Sequence, residues 1–396
     1  MKKRCILLLI ALVLLIPSSF SQNRSIVFLE KPWSEIVSIA KDQNKLIFLD
    51  AFASWCGPCK WMGTHMFTND TVADYYNQNF ICAHLDMEKG EGPELSAKYQ
   101  VRAYPTLLFI NGNGELIHKQ VGAPQHVLNY IEMGKVALTP GQGFTAYIKQ
   151  YETGNRDPKF MFGYFERLQN AYIPIRIPLQ EYFASQPEDA LMNPLNWNIF
   201  FRYTQDMDSK EFKYLLKNMH TFEKIHGVDS VNSKIFMVFS QVLSGLSRSK
   251  SFTEDNYKAL KQKIRDTGYP EVEKIFFTSD LSLYQSQGDI SKYLTLAVKD
   301  LDKYYGMDYS MLNQVAWNFF QISTDQKQLE KAAEWAKKSI EINSIPENND
   351  TYANLMFKSG NKKEAEKYES AAIKLAKKAR IETKEYEENL KKFQGN

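Results

Sequence analysis

Trp55-Cys56-Gly57-Pro58-Cys59-Lys60 follows the apolar run Leu46-Ile47-Phe48-Leu49-Asp50-Ala51-Phe52 and precedes a segment with helical character. A near-continuous apolar run of this length reads as a strand covered on both faces. The two thiols therefore fall at a strand-to-helix junction. A cysteine at a helix N-terminus meets unpaired N–H groups and the positive end of the macrodipole, which stabilise a thiolate. A second cysteine one turn along can close a small ring with it. The pair is set for dithiol–disulfide exchange, with Cys56 the attacking thiol and Cys59 shielded behind it. An inert core disulfide is the plain alternative. Zinc would need four ligands, and only Cys82, His65 and His84 could join the pair.

Outward from this stretch, strand and helix patterns alternate. Ile26–Leu29 reads as a short strand, and Trp33, Ile36, Val37 and Ala40 recur at helical spacing behind Pro32. Helices are expected over Cys59–Met66, Val72–Tyr76, Glu94–Tyr99 and Pro124–Ala137. Further strands are expected over Phe80–Leu85, Thr106–Ile110 and Glu115–Val121, the last two joined by the turn Asn111-Gly112-Asn113-Gly114.

Asp50, Trp55-Cys56-Gly57-Pro58-Cys59-Lys60, Tyr104-Pro105-Thr106 and Gly122 together resemble the thioredoxin family over roughly residues 26–137. The resemblance implies an α/β thioredoxin fold with a central mixed sheet between helices. It also implies a buried Asp50 that accepts the Cys59 proton, and a cis Pro105 packed against the cysteine pair. A carboxylate in an apolar strand is costly to ionise, which would raise the Asp50 pKa toward a useful range. Tyr104, through its backbone, and Trp55, Gly57, Pro58 and Pro105 are the expected substrate-binding residues. The Gly57-Pro58 dipeptide implies a reducing couple, near ~−270 mV for the family against ~−120 mV for a strong oxidant. His84 falls where cytoplasmic members carry a lysine near the buried acid. It could join that proton network or face solvent. Cys82, between Ile81 and Ala83, reads as a space-filling core thiol.

Residues 1–21 read as a secretory signal peptide: Lys2, Lys3 and Arg4, then an apolar stretch Cys5–Ile16, then Pro17 with Ser19 and Ser21 before the expected cleavage site. The stretch is shorter than the roughly 20 residues of a membrane span, and an uncleaved anchor is the minor alternative. The whole chain has 49 Lys and Arg against 46 Asp and Glu, so losing those three basic residues leaves it formally neutral. No basic tract interleaved with aromatics suggests nucleic acid. Only Cys56, Cys59 and Cys82 follow the leader, too few for a disulfide-stapled scaffold. The segment Met66-Phe67-Thr68-Asn69-Asp70-Thr71-Val72 resembles secreted thiol reductants, which agrees with a periplasmic location.

The expected domains are 22–137, thioredoxin-like, a linker at 138–143 rich in Pro and Gly, and an all-α region at 144–396. Near 312–380, residues 331–340 align with 364–373 at a period of 33, pairing Ala332 with Ala365 and Trp335 with Tyr368. That looks like tetratricopeptide hairpins, a surface that could hold a peptide or protein partner. The expected protein is a secreted thiol–disulfide oxidoreductase, reducing or isomerising client protein disulfides. It needs no cofactor beyond the redox-active Cys56–Cys59 disulfide and takes electrons from a membrane thiol reductase. The rivals are a helical scaffold with a passenger redox fold, and a disulfide-forming oxidase using the same residues.

Overall fold

The structure is a computed structural model that describes residues 24–395. The expected signal peptide lies outside the described residues. The chain forms two compact units, the first ending at Tyr203 and the second spanning Thr204–Asn396.

In the first unit, helix α1 (Trp33–Asp42) leads into strand β1 (Leu46–Phe52), and the cysteine pair opens α2 (Gly57–His65). Helix α3 (Asp70–Asn79), β2 (Phe80–Asp86), α4 (Gly92–Lys98), β3 (Thr106–Ile110), β4 (Leu116–Val121) and α5 (Val127–Leu138) complete the sheet and its cover. The four strands run in the order β2-β1-β3-β4, with β1 and β2 parallel and the other pairs antiparallel. The expected strand Ile26–Leu29 is reduced to one bridge between Phe28 and Cys82. Ile26 instead donates its N–H to the Phe67 carbonyl, which draws the segment away from the ladder.

Strand residues alternate between the two faces. Ile47, Leu49 and Ala51 of β1 pack with Trp33, Ile36 and Ala40 of α1 and Leu95 beside them. Phe48 packs on the opposite face with Met62 of α2, Tyr76 of α3 and Tyr130 of α5. Alternation therefore assigns Asp50 to the face that α2 covers. This is why β1 reads as a continuous apolar run with one carboxylate in it.

Past α5, α6 (Phe144–Glu152), α7 (Pro158–Asn170), α8 (Arg176–Ser185) and α9 (Pro194–Tyr203) belong to the same unit. The expected linker at 138–143 is a tight turn, and the unit continues beyond it. The Thr145 hydroxyl donates to the Leu116 carbonyl at 2.7 Å, and the Phe144 N–H donates to His118 Nδ1 at 3.3 Å. Helices α6 and α7 thus cover β4, an edge that would otherwise offer open backbone to other chains. Burial and the nearby Arg167 push the His118 pKa down to about 3, so this seam holds a neutral imidazole.

The second unit is helical throughout its described residues. It comprises α10 (Lys210–Lys217), α11 (Met219–His226), α12 (Val228–Ser247), α13 (Glu254–Arg265), α14 (Val272–Gln287), α15 (Ile290–Tyr305), α16 (Tyr309–Ile322), α17 (Gln326–Ile342), α18 (Pro346–Lys358), α19 (Lys362–Ala379) and α20 (Lys384–Gln394). The aligned stretches 331–340 and 364–373 fall in α17 and α19, the second helices of two successive packed pairs. Ala332 and Ala365 are both fully buried. Small residues at these positions let neighbouring helices approach closely. Trp335 fills the core made with Phe319 and Leu312 of α16.

Candidate functional site: a disulfide at a helix N-terminus

Cys56 is the N-cap of α2. Its extended backbone (φ −70°, ψ 110°) directs the side chain back over the first turn, and Sγ accepts the Cys59 N–H at 3.1 Å. Pro58 sits in that first turn, where its missing N–H costs nothing. Cys56 and Cys59 are joined as a disulfide, with Cα atoms 5.3 Å apart. On reduction, the same N–H and the helix dipole remain aimed at the Cys56 sulfur and favour its thiolate.

Cys59 is expected to be shielded behind an attacking Cys56, but in the disulfide both are buried, Cys56 at 2% and Cys59 at 6% exposure. The bonded sulfurs lie in a small apolar cluster with Ala53, against Phe52 and Tyr104. The opening is beside Gly57, where nothing lies within 4 Å of the place a Cβ would occupy. Trp55, an expected substrate-binding residue, stands 66% exposed, meeting Tyr104 edge-on at 5.8 Å and donating from Nε1 to Glu88 at 2.9 Å. It therefore borders the opening. The Tyr104–Pro105 bond is cis, as the resemblance implied, and the Pro105 carbonyl accepts the Gly122 N–H at 2.8 Å. Tyr104 lies just ahead of β3, and its own backbone groups make no backbone hydrogen bond among the described residues.

Asp50 has no exposed surface. Burial raises its pKa, and His84 partly opposes that through a hydrogen bond and its charge. His84 Nδ1 lies 2.8 Å from Asp50 Oδ2, while Asp50 Oδ1 has no partner among the described residues. The imidazole stacks on Phe52 at 3.8 Å, which holds the ring in place. Of the two readings open for His84, the parallel β1–β2 register selects the one beside the acid. Its side chain remains 39% exposed, so one residue spans the buried carboxyl and solvent.

Cys82 is buried at 2% exposure, and desolvation pushes its thiol up to about 12. It is core filling. Among the described residues no three His, Cys, Asp or Glu side chains are grouped as a metal ion would require. No described helix is long and apolar enough to cross a membrane.

The family model for thioredoxin matches residues 26–132. A thioredoxin from Chlorobaculum thiosulfatiphilum is 37% identical over 82 residues, which is 70% of that protein and 21% of this chain. Thioredoxin-1 of Drosophila melanogaster is 39% identical over 85 residues, 74% of its length and 22% of this chain. The chain belongs to the thioredoxin family. A solution structure of a proposed disulphide-isomerase from Bacteroides thetaiotaomicron is 44% identical, matched over 97% of that chain and 29% of this one, with a TM-score of 0.27. Family membership and the Cys56–Cys59 pair make this thioredoxin-like protein a thiol–disulfide oxidoreductase. The helices beyond residue 137 lie outside the residues that the thioredoxin family model matches.

The sequence leaves His84 between two readings and carries no local sign of Glu88 as a partner of Trp55. Neither pairing is local: His84 is 34 residues from Asp50 and Glu88 is 33 from Trp55. The one available signal was the register of two apolar strands, which places Asp50 opposite His84 once Leu46 is set against Phe80.

Proposed function

We propose that this protein reduces or isomerises disulfides of client proteins outside the cytoplasm. The observation that carries the reading is the Cys56 sulfur held at the α2 N-cap by the Cys59 N–H. In the reduced enzyme, the Cys56 thiolate attacks one sulfur of a client disulfide. The client S–S bond breaks, a Cys56–client bond forms, and the other client sulfur leaves as thiolate. Cys59 then passes its proton to Asp50 and attacks Cys56 Sγ. The second client sulfur leaves as thiolate, and the enzyme keeps the Cys56–Cys59 disulfide. Two electrons have moved to the client.

Trp55, Gly57, Pro58, Tyr104 and Pro105 form the rim at which the client docks in this reading. Asp50 suits its role because it is buried, has a raised pKa and retains one unpartnered oxygen. The leader pattern at 1–21 supports export to the periplasm. That compartment is oxidising, so a membrane thiol reductase would have to regenerate the dithiol. The helical repeats near 312–380, tetratricopeptide-like in pattern, are proposed to add a protein-binding surface.

The test is the reduction of a disulfide-bonded protein by the mature chain, together with the potential of the Cys56–Cys59 couple. Loss of activity in Cys56→Ser and a potential near ~−270 mV agree with the reading. Activity surviving in Cys56→Ser removes the mechanism. A potential near ~−120 mV reverses its direction to disulfide formation.

A further inference from the structure

Helix α7 is firmly seated. Met161, Phe165 and Leu168 are buried, and Arg167 donates to the Gln142 carbonyl at 2.8 Å while its guanidinium lies 3.9 Å from the Tyr147 ring centre. At its end the chain reverses through Tyr172, which takes a left-handed conformation (φ 55°). The Ile173 N–H returns to the Leu168 carbonyl at 2.8 Å, so the reversal is tied to the last turn of the helix. From this anchored turn Tyr172, Ile173 and Pro174 lead into the first turn of α8, where Ile175 is half-buried and Ile177 faces solvent. Tyr172 is 67% and Ile177 64% exposed, and Ile173 and Pro174 are exposed with them. Single exposed apolar side chains need no explanation, but a run of them on a fixed turn marks a surface that is covered in use.

The arm is connected to the redox site. A Cβ placed on Gly122 would sit 3.4 Å from the Tyr172 hydroxyl, and Gly122 itself has φ 96°. Gly122 donates to the Pro105 carbonyl, Pro105 follows Tyr104, and Tyr104 packs against the disulfide cluster. Contacts therefore run without a break from Cys56 and Cys59, through Tyr104, Pro105 and Gly122, to Tyr172. With no side chain at Gly122, the Tyr172 hydroxyl can lie close to this backbone. A client joined to Cys56 must lie at this rim, and each extended residue advances it by about 3.3 Å. A client strand that runs from Cys56 past Pro105 and Gly122 is carried toward Tyr172.

We propose that the Tyr172–Ile177 arm is a second docking site for the client polypeptide, binding apolar residues that flank the cysteine joined to Cys56. The inference rests on the client-reduction reading above. It makes the enzyme selective for disulfides in exposed apolar segments, as in incompletely folded proteins, over those with polar surroundings. A helical region outside the residues that the thioredoxin family model matches thereby sets specificity for the shared chemistry.

The test uses the full chain, reduced beforehand and freed of reductant, mixed in single turnover with two disulfide peptides. One carries Leu and Phe around its cysteines and the other Ser and Gly. The wild type should react faster with the apolar peptide by about tenfold, the discrimination a small apolar contact area supplies. Tyr172→Ser combined with Ile177→Ser should abolish that preference, and Tyr172→Phe should retain it. A preference unchanged in the double variant, or absent from the wild type, overturns the docking inference while leaving the redox reading intact. Reduction of neither peptide by the wild type overturns both. An arm that instead covers a second copy would make the wild type dimeric and the double variant monomeric with unchanged peptide preference, which also overturns it.

Discussion

His84 Nδ1 and Asp50 Oδ2 are 2.8 Å apart across the parallel β1–β2 pair, joining a carboxyl without exposed surface to an imidazole that is 39% exposed. The imidazole lowers the Asp50 pKa against the larger raising effect of burial. His84→Phe keeps a ring to stack on Phe52 and removes the hydrogen bond. The Asp50 pKa should then rise further, and the pH profile of the step in which Cys59 displaces the client should move alkaline. On the acid side of the profile, where the carboxyl must first lose its proton, that step should slow several-fold. Stopped-flow tryptophan fluorescence across pH 5 to 9 reads it. An unmoved profile would separate His84 from the proton path.

The same carboxyl makes the oxidised protein's stability depend on pH. The folded-state pKa of Asp50 lies above its ordinary value of 3.8, so the folded chain holds this proton longer than the unfolded chain. The contribution is fully present below that ordinary value and is lost as pH rises through the folded-state pKa. Asp50→Asn carries no such charge. It should match the wild type near pH 3.8 and exceed it at pH 8 by about 1–3 kcal/mol, the usual cost of a buried polar atom left unpaired. Denaturation at both pH values checks the sign, and an asparagine variant that is weaker at pH 8 would contradict it.

Thiol counting separates Cys82 from the redox pair. With its thiol pushed up to about 12 and 2% of its surface exposed, Cys82 carries almost no thiolate at neutral pH. In the reduced native mature protein, Cys56 should be alkylated first. Cys82 should react only once denaturant opens the core, a delay of at least about a hundredfold given thiolate control of reactivity. Mass spectrometry of the alkylated peptides measures the order. Early labelling of Cys82 would mean that the β2 core opens readily.

In the second unit, Glu369 of α19 has no exposed surface, and neither carboxyl oxygen has a nitrogen or hydroxyl donor among the described residues. Asp350 of α18 faces it, itself held by Asn354 at 2.9 Å and Asn389 at 3.0 Å, with Glu385 adding negative charge from α20. Burial first, and Asp350 next, push Glu369 up to about 9. This acid is raised in the folded state, so its contribution is complete below about 4.5 and fades as pH climbs through about 9. Hydrogen-exchange protection of residues 346–394, corrected for intrinsic rates, should fall over that window. Glu369→Gln should flatten the fall and gain about 1–3 kcal/mol at the alkaline end. A variant that loses protection equally would exclude the carboxyl as its source.

What the chain determined by itself is local. The apolar run 46–52, the N-cap cysteine with Pro58 behind it, and the Asn111–Gly114 turn each specify an element through contacts a few residues long. The redox centre was legible for the same reason, since Cys56 and Cys59 share one helical turn. Ile26–Leu29 read as a strand because its pattern is extended and apolar, but the Phe67 carbonyl competes for its backbone. Only the tertiary structure decided that His84 meets Asp50, that α6 and α7 close the β4 edge, and that Tyr172 reaches Gly122. Those pairings span tens of residues. They depend on strand register and on which face a helix lays against the sheet, neither of which any short window of sequence encodes.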